Sequence, residues 1–523
     1  MPIVQQGSIN TTALVVPDLY VQIVPPQNLL LNGVPTDIVG VVGSATWGPI
    51  GRPVIVATMA DYASSFGPLV ARKYDMGTQV ATAVQQGAQN FRCVRVTDGS
   101  DSAARLTLPS TAFTFTARYT GSSGNAIVVI LGSGSQANTW RLTATLPGLL
   151  PEVYDNIGGT GATFWQNLAN AVNLGQGPQR GPSGFVTAAA NSTVAAPVAG
   201  SYAFSTGTPG TDGASGVTAT ELVGADIAPR TGMYALRGQS CGVALLADSD
   251  DPTQWTTQAQ FGLSEGVYMI LTGPAGDNIQ NAVTTKQNAG LDSYACKLMF
   301  GDWVWWNDPV NATLRTVSPQ GFVAGRLANL SPEQSSLNKP LYSVVGTQLS
   351  GAPGSGTSTS YAAADLGVLF QSGIDVIANP QPGGSFWGVR GGFNTSSNSA
   401  INGDNYTRLT NYIAASLASG MGQYVGQVIN ADLFRQIRAT QLSFLQNMLS
   451  QGLLGSTDGS LPFSVICDTS NNPPSRTGLG YVQSDAQVLY QAINEFFIVN
   501  IEGGQTVQVQ TQVLPNSPGA LAA

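Results

Sequence analysis

The chain contains no histidine among its 523 residues. Histidine is the usual base that activates serine or cysteine nucleophiles, and it is the commonest metal ligand in proteins. Its absence argues against most hydrolase and metalloenzyme mechanisms, so we expect no catalytic site, no bound metal and no cofactor. The sequence also contains no Gly-Lys pair, which argues against a Walker P-loop for nucleotide binding.

Charged residues are scarce: they make up 10% of the chain, against about 25% in ordinary soluble proteins. The net charge is −8, and lysine occurs only at Lys73, Lys286, Lys297 and Lys339. Nucleic-acid binding needs a basic face that displaces counterions, so direct contact with nucleic acid is not expected. So little charge suits either a Gly/Ser/Thr-rich secreted or surface-array protein, or a subunit whose surface is covered by neighbours.

Cysteine is rare and dispersed, at Cys93, Cys241, Cys296 and Cys467, with no CxxC pair. A zinc site would need clustered ligands, so we expect buried free thiols and assembly in a reducing compartment. The N-terminus lacks a positively charged segment followed by an apolar one, so no signal peptide is expected. No apolar run reaches the roughly 18 residues of a membrane-spanning helix, so no membrane insertion is expected.

Short apolar runs predict the strands of an α/β core. Residues 38–43, 54–56 and 91–96 indicate strands, and apolar residues at helical spacing precede the last of them. This pattern predicts a parallel βαβ unit. Further runs that are typical of buried strands follow at 241–246, 267–271, 297–300 and 303–306.

Changes in composition divide the chain into segments. Thr, Ser, Gly and Ala dominate the region after the first core strands, which predicts a β-rich insertion with long loops. Two amphipathic helices, 406–419 and 431–451, indicate a different C-terminal unit, with strands at 463–467 and 495–501. We therefore expect a multi-domain α/β fold made of an N-terminal arm 1–19, a first core part 20–105, a β-rich insertion 106–214, a second core part 215–399, an α+β C-terminal domain 400–505 and a C-terminal arm 506–523.

Two motifs carry chemical hypotheses, each of which has a simpler structural alternative. Residues 238–242 match the G-x-S-x-G nucleophile elbow around Ser240, but a working elbow needs a histidine. A loop that leads into a strand is therefore preferred over a serine hydrolase site. Residues 248–252 resemble the start of a calcium loop, but Thr253 and Ala259 occupy the positions that require Gly and Glu. Capping of the following helix is the preferred interpretation.

Both ends of the chain carry short stretches that suit strands. Val507, Val509 and Val513 alternate with polar residues, as in a half-buried strand, and a lone strand must join a sheet to be stable in water. That sheet could lie in the same subunit, but the near-terminal position after Gly503-Gly504 favours a neighbour. The N-terminal arm offers complementary apolar positions at Ile3, Val4 and Ile9.

Arg435 and Arg438 lie on one side of the 431–451 helix, away from its apolar stripe of Phe434, Ile437, Leu445 and Met448. Arginines in such positions are usually just solvated. In a chain this poor in positive charge, they are also a candidate contact for an acidic partner.

A Tyr-Val strand near the start, a turn with Gly-Pro between two strands, and the segment Ala-Arg-Tyr-Thr-Gly-Ser-Ser-Gly-Asn follow one another along the chain. Together with further stretches in the same order, they resemble the tail sheath proteins of contractile-tailed bacteriophages. The sequence departs from the family pattern at 318–321, where the family often has a double proline, and 130–214 and 350–360 match nothing in it. The matching stretches are 16–22, 38–67, 90–96, 116–129, 305–340, 444–454 and 463–472.

The resemblance implies a subtilisin-like α/β core without activity, because the histidine of the protease triad has no counterpart. It implies a structural homo-oligomer: stacked, hexameric rings that surround the tail tube and contract to drive it through the host envelope. Terminal arms would add strands to sheets of neighbouring subunits, and Arg435 and Arg438 would face the tube protein. The other implied partners are baseplate and tail terminator proteins, and the implied location is the tail sheath of the virion, assembled in the host cytoplasm.

Overall fold

The structure is a computed structural model that describes residues 3–6, 20–23, 31–109, 113–190, 194–356 and 359–501. The strands in chain order are β1 Ile3–Gln6, β2 Tyr20–Ile23, β3 Val39–Gly43, β4 Pro53–Val56, β5 Phe91–Arg95, β6 Arg105–Thr107, β7 Thr114–Ala117, β8 Val128–Ser133, β9 Trp140–Thr145, β10 Glu152–Ile157, β11 Val186–Ala189, β12 Gly200–Ala203, β13 Val243–Leu246, β14 Tyr268–Thr272, β15 Cys296–Met299, β16 Val304–Asp308, β17 Thr313–Val317, β18 Val344–Thr347, β19 Ile377–Ala378, β20 Gly388–Val389, β21 Phe463–Ile466 and β22 Asp485–Val488. The helices are α1 Met59–Phe66, α2 Met76–Gln85, α3 Ala162–Leu174, α4 Ala219–Val223, α5 Trp255–Glu265, α6 Ile279–Asn288, α7 Gln320–Ala328, α8 Ala363–Gln371, α9 Asp404–Met421, α10 Ala431–Ser450 and α11 Pro474–Thr477.

A six-stranded sheet with the order β15-β14-β13-β3-β5-β4 forms the centre of the core. Its strands are parallel except β4, which pairs antiparallel to β5 at one edge. Every residue of β3, β13 and β14 is buried. Strands covered on both faces have no solvent side to alternate with, which explains their uninterrupted apolar runs. The predicted parallel βαβ unit of β3, α2 and β5 is confirmed.

Two apolar layers cover the faces of this sheet. On one face, α1, α2 and α7 pack together with the three-stranded sheet β17-β16-β18. On the other face lie α4, α5, α6 and α8. The chain continues from β3 towards β5 on one side and from β13 towards β14 on the other, so the carboxyl ends of β3 and β13 flank a topological switch point.

The insertion has its own apolar core. It contains the sheets β10-β9-β8-β12 and β11-β7-β6, as its β-rich composition predicts. Helix α3, which packs between them, was not predicted. Its buried residues Phe164, Trp165, Leu168 and Val172 do follow helical spacing, so the signal was present but was masked by the surrounding Gly- and Thr-rich sequence.

Helices α9 and α10 and the hairpin β21-β22 form the next part of the chain. The predicted stripe of α10 is confirmed, since Phe434, Ile437, Leu445 and Met448 are all buried. The predicted strand at 495–501 is wrong: these residues form no strand, and Phe496, Phe497, Ile498 and Ile501 are 79–87% exposed. A strand requires a paired neighbour, and none of the described strands pairs with this segment.

The contacts divide the chain into a large compact unit that ends at Gln491 and a small one from Ala492. All four cysteines are buried and free, as predicted. Asp251 accepts a hydrogen bond from the backbone N–H of Thr253, which confirms the expected cap before α5. Among the described residues, no helix has both the length and the apolar character needed to cross a bilayer.

Candidate functional site

Ser240 lies on an exposed turn before β13, with a φ of +54°. A nucleophile elbow runs from a strand through the serine into a helix. Here the order is reversed, because a short 3₁₀ turn at 232–236 precedes the serine and a strand follows it. The preferred interpretation of 238–242, a loop leading into a strand, agrees with this geometry.

The residues predicted for the arms are only partly within the described chain. Ile3 and Val4 belong to β1, which pairs in parallel with β2 of the same chain. Ile9, Val507, Val509 and Val513 lie outside the described residues. The structure thus places the N-terminal residues on a strand within their own chain, and their pairing with a neighbour stays a prediction.

Arg435 and Arg438 project from the exposed side of α10, as their spacing predicts. Arg435 forms an ion pair with Asp432 one turn earlier. Arg438 is near Asp468, whose pKa is lowered first by hydrogen bonds from Ser470 and also by the charge of Arg438. Both guanidinium groups therefore have a carboxylate nearby, which reduces the net charge of this face.

The most unusual chemistry of the described chain is a buried group of charges that joins the core sheet to α9. We call Lys297, Asp375 and Asp404 the ionic joint. Lys297 lies on β15, Asp375 on the segment beside that strand, and Asp404 begins α9. All three side chains have an exposed fraction of 0%.

The Lys297 ammonium group is the centre of the joint. Its Nζ lies 2.6 Å from Asp375 Oδ2 and 3.1 Å from Asp404 Oδ1, and it donates to the backbone carbonyl of Phe393 at 3.0 Å. An ammonium group has three protons to donate, and each has an acceptor here. The lysine is therefore fully satisfied although no water reaches it.

The two carboxylates are also saturated with donors. Asp375 accepts from the backbone N–H groups of Val376, Gly391 and Gly392 at 2.7–2.8 Å. Asp404 accepts from the Tyr268 hydroxyl on β14 at 2.6 Å, and from the backbone N–H and hydroxyl of Ser336. Asp404 also occupies the first turn of α9, where the helix dipole favours a negative charge.

A fourth buried charge completes the region. Arg408, one turn further along α9, donates to the carbonyls of Leu330 and Ser331 at 2.7 and 2.8 Å. Two cations and two anions thus lie together in the interior, so the region is neutral overall. Helix α9 is therefore fixed to the core by these buried polar contacts.

The protonation states of the joint suit a structural role. Burial disfavours the charge of Lys297, but the carboxylates of Asp375 and Asp404 outweigh burial and raise the pKa of the lysine. Burial likewise opposes the charge of Asp404, but Lys297, Ser336 and Tyr268 together lower the pKa of that carboxyl. A nucleophilic lysine needs a lowered pKa, and an acid catalyst needs a raised one. Neither Lys297 nor Asp404 has the shifted pKa that such a role needs.

The joint was not predicted from the sequence, although two of its residues carry a signal. Lys297 stands in the apolar run Ala-Cys-Lys-Leu-Met-Phe, and Asp375 stands in Gly-Ile-Asp-Val-Ile. A charge inside such a run is almost never fully buried unless it is paired. The sequence could thus have indicated two buried charges, but not that they meet.

A second polar group lies at the switch point, beside a cavity of about 310 Å³. Asp248 follows β13 and accepts from Gln79 Nε2 at 2.8 Å and from the backbone N–H of Tyr74 at 3.1 Å. Asp75 caps α2 by accepting from the N–H and hydroxyl of Thr78. Burial raises the pKa of each carboxyl to about 6. Within the described ranges, no three Cys, Asp or Glu side chains are grouped as metal ligands.

These carboxyls predict a pH-dependent stability. Their folded pKa lies above the unfolded value of 3.8, so the folded state binds more protons between about pH 4 and 6, and stability falls as pH rises through that window. Asp248→Asn removes one titration. The free energy of unfolding of wild type minus that of Asp248→Asn should therefore fall between about pH 4 and about pH 8, by at most about 3 kcal/mol. Urea unfolding across this range tests it; a constant difference would contradict it.

No protein-family model matches the sequence, and no curated protein matches it significantly. The fold, however, matches solved structures. A sheath tail protein of Desulfitobacterium hafniense superposes with a TM-score of 0.56 at 15% identity, over 85% of this chain and 93% of that chain. This is the fold of sheath tail proteins.

Two further structures share the sheath fold. A sheath tail protein of Listeria innocua gives a TM-score of 0.58 at 14% identity, covering 84% of this chain and 90% of that chain. The sheath of an extracellular contractile injection system (PVC), in the contracted state, gives a TM-score of 0.54 at 12% identity, covering 94% of this chain and 98% of that chain. The expected multi-domain α/β fold class is therefore confirmed.

Proposed function

We propose that this protein is the structural subunit of a contractile tail sheath. Subunits polymerise around a tail tube, and the sheath contracts to drive the tube through a host envelope. The observation that carries the proposal is the match to the sheath fold, which spans at least 84% of this chain. One of the matching structures is a sheath in its contracted state. The protein acts mechanically and not as an enzyme.

The segments have separate roles in this proposal. Residues 20–105 and 215–399 form the body, 106–214 is an insertion, and 400–505 faces the tube. Residues 1–19 and 506–523 are arms that connect subunits. The ionic joint fastens α9, which belongs to the tube-facing part, to the core sheet of the body.

Strand addition is the proposed connection between subunits. The sheets β1-β2 and β21-β22 have only two strands each among the described residues, so each has edges with unpaired backbone groups. Two-stranded sheets are marginal in water, and added strands satisfy the backbone of both partners. The exposed side chains of Phe496, Phe497, Ile498 and Ile501 also support a covered position in the assembly.

The partners follow from this assembly. We propose stacked hexameric rings of this chain around a tail tube protein, with a baseplate and a tail terminator at the two ends. The location is the tail sheath of a virion, assembled in the host cytoplasm. The scarcity of charge supports a surface that neighbours cover, because such a surface would promote association of free monomers.

Electron microscopy of the purified full chain tests the function. We expect straight tubular polymers of uniform width, because a sheath subunit repeats one heterologous contact along a helix. Flat two-dimensional lattices would contradict a sheath and favour a surface-array protein. A chain that stays monomeric at high concentration, with and without tube protein, would also contradict the proposal.

Arg435→Glu combined with Arg438→Glu is expected to weaken co-assembly with tube protein. The exposed arginines would contact an acidic tube surface. The two substitutions make the charge of this face more negative by about four, so the face would repel that surface. The loss should be largest at low ionic strength, where charges act over distances beyond about 10 Å. Co-sedimentation with tube protein at low and high salt measures it.

A matched control shows whether the loss of binding depends on where the charges are changed or only on the total charge. Arg105→Glu with Arg118→Glu makes the same change at two exposed arginines in and next to the sheet β11-β7-β6, away from α10. This control should leave co-sedimentation unchanged. Equal losses in both variants, or unchanged binding of the α10 variant at low salt, would remove the proposed tube contact.

A further inference from the structure

Residues 31–36, which we call the strap, lead from the N-terminal part of the chain into β3. The strap has no strand partner and lies along α9 instead. Three of its contacts on α9 involve Tyr412, Ser416 and Gly420. These residues are four apart, so they form one stripe along the helix.

Two glycines allow the strap to lie this close to α9. A Cβ on Gly33 would lie 1.7 Å from the hydroxyl oxygen of Tyr412 and 2.5 Å from its Cζ. A Cβ on Gly420 of α9 would lie 1.7 Å from Cδ1 of Leu31. One glycine is on the strap and the other on the helix, so both surfaces are shaped for the same contact.

Polar and apolar contacts hold the strap in place. The backbone N–H of Val34 donates to the hydroxyl of Ser416 at 3.1 Å, and Ser416 is fully buried. Leu31 is 9% exposed and packs in the apolar cluster of α9 and α10 with Leu409, Ile413 and Phe444. The strap is therefore attached at three successive points before the chain enters the sheet.

We propose that the strap anchors the N-terminal arm to α9, so that tension on the arm passes to α9 and the ionic joint before it reaches β3. The α9 end of this path is fixed to β14 and β15 by Asp404, which bonds Tyr268 and Lys297. The inference rests on the proposed function only for the source of the tension. The attachment itself belongs to the single chain and can be tested without assembly.

Limited proteolysis of the full chain, diluted below the concentration at which it polymerises, tests the attachment. Gly33→Ala is expected to raise the cleavage rate within the strap by about tenfold, because cleavage follows the population of the detached form. Adding Tyr412→Leu, which removes the facing hydroxyl and ring edge, should return the rate towards wild type. Ser416→Ala adds no bulk and removes only the acceptor for Val34, so it should raise cleavage by a smaller factor. Gly422→Ala, at a glycine with open space around it, is the control and should have no effect.

Single-molecule pulling tests whether tension on the N-terminal arm acts on the strap before it reaches β3. With handles at the N-terminus and on α10, the wild-type chain should release the strap in a separate step that lengthens the chain by at most about 20 Å, the extended length of six residues at roughly 3.4 Å each. The Gly33→Ala chain should lack this step. Unchanged cleavage in Gly33→Ala and Ser416→Ala, equal cleavage in Gly422→Ala, or no separate step in wild type would overturn the proposal. None of these results depends on whether tubes form, so failure of the proposed function remains distinguishable.

Discussion

A chain that lacks residues 506–523 is expected to fold as a soluble monomer that no longer polymerises. The alternating valines of this stretch need a sheet to join, and we propose that the sheet belongs to a neighbouring subunit. The compact unit of the described chain ends at Gln491, so the deletion leaves its core intact. Thermal unfolding measures the fold, and electron microscopy measures polymerisation.

A second variant tests the apolar segment that precedes the deletion. Phe497→Ser with Ile498→Ser should also weaken polymerisation, because side chains that are 81% and 79% exposed in the monomer would lose burial in the assembly. Burial of each is worth about 1.5–3 kcal/mol. Val425→Ser with Val428→Ser removes two equally exposed side chains elsewhere and should leave polymerisation unchanged. A shortened chain that still forms sheaths would refute this view. One that cannot fold would place the terminal strand in its own core.

Replacing Lys297 by methionine is expected to destabilise the fold by about 3–5 kcal/mol, because it leaves two buried carboxylates without their cation. Asp375 and Asp404 are fully buried, so water cannot take the place of the ammonium group. Asp404 begins α9, so amide hydrogen exchange should rise most in that helix. Urea unfolding measures the loss of stability.

Two further variants show whether the pairing of charges causes this loss. Lys297→Met combined with Asp404→Asn should be less destabilised than the sum of the single changes, because the double variant buries one uncompensated charge fewer. Lys286→Met is the matched control: Lys286 is also buried, but it donates only to the backbone carbonyls of Ser372 and Thr395. Lys286→Met should therefore lose less stability than Lys297→Met. Additive effects, or equal losses for the two lysines, would show that the joint is not held by its ion pairs.

The sequence by itself determined the type of most core elements. The runs that became β3, β13 and β14 are almost entirely apolar, and such runs are typical of strands covered on both faces. The stripe of α10 was readable because helical spacing puts its members on one side. The absence of histidine was equally plain, and it argued against most hydrolase mechanisms.

The tertiary structure alone decided which distant residues meet. Lys297 is 78 positions from Asp375 and 107 from Asp404, and no local pattern links residues that far apart. A lysine in an apolar run indicates a buried charge, but its partners depend on how the sheet is ordered and where α9 begins. The segment 495–501 shows that a local pattern can also suggest a strand that the tertiary structure does not form. Its pattern suits a strand, yet it forms none in the described chain, because a strand exists only where the backbone groups of a second strand are in reach.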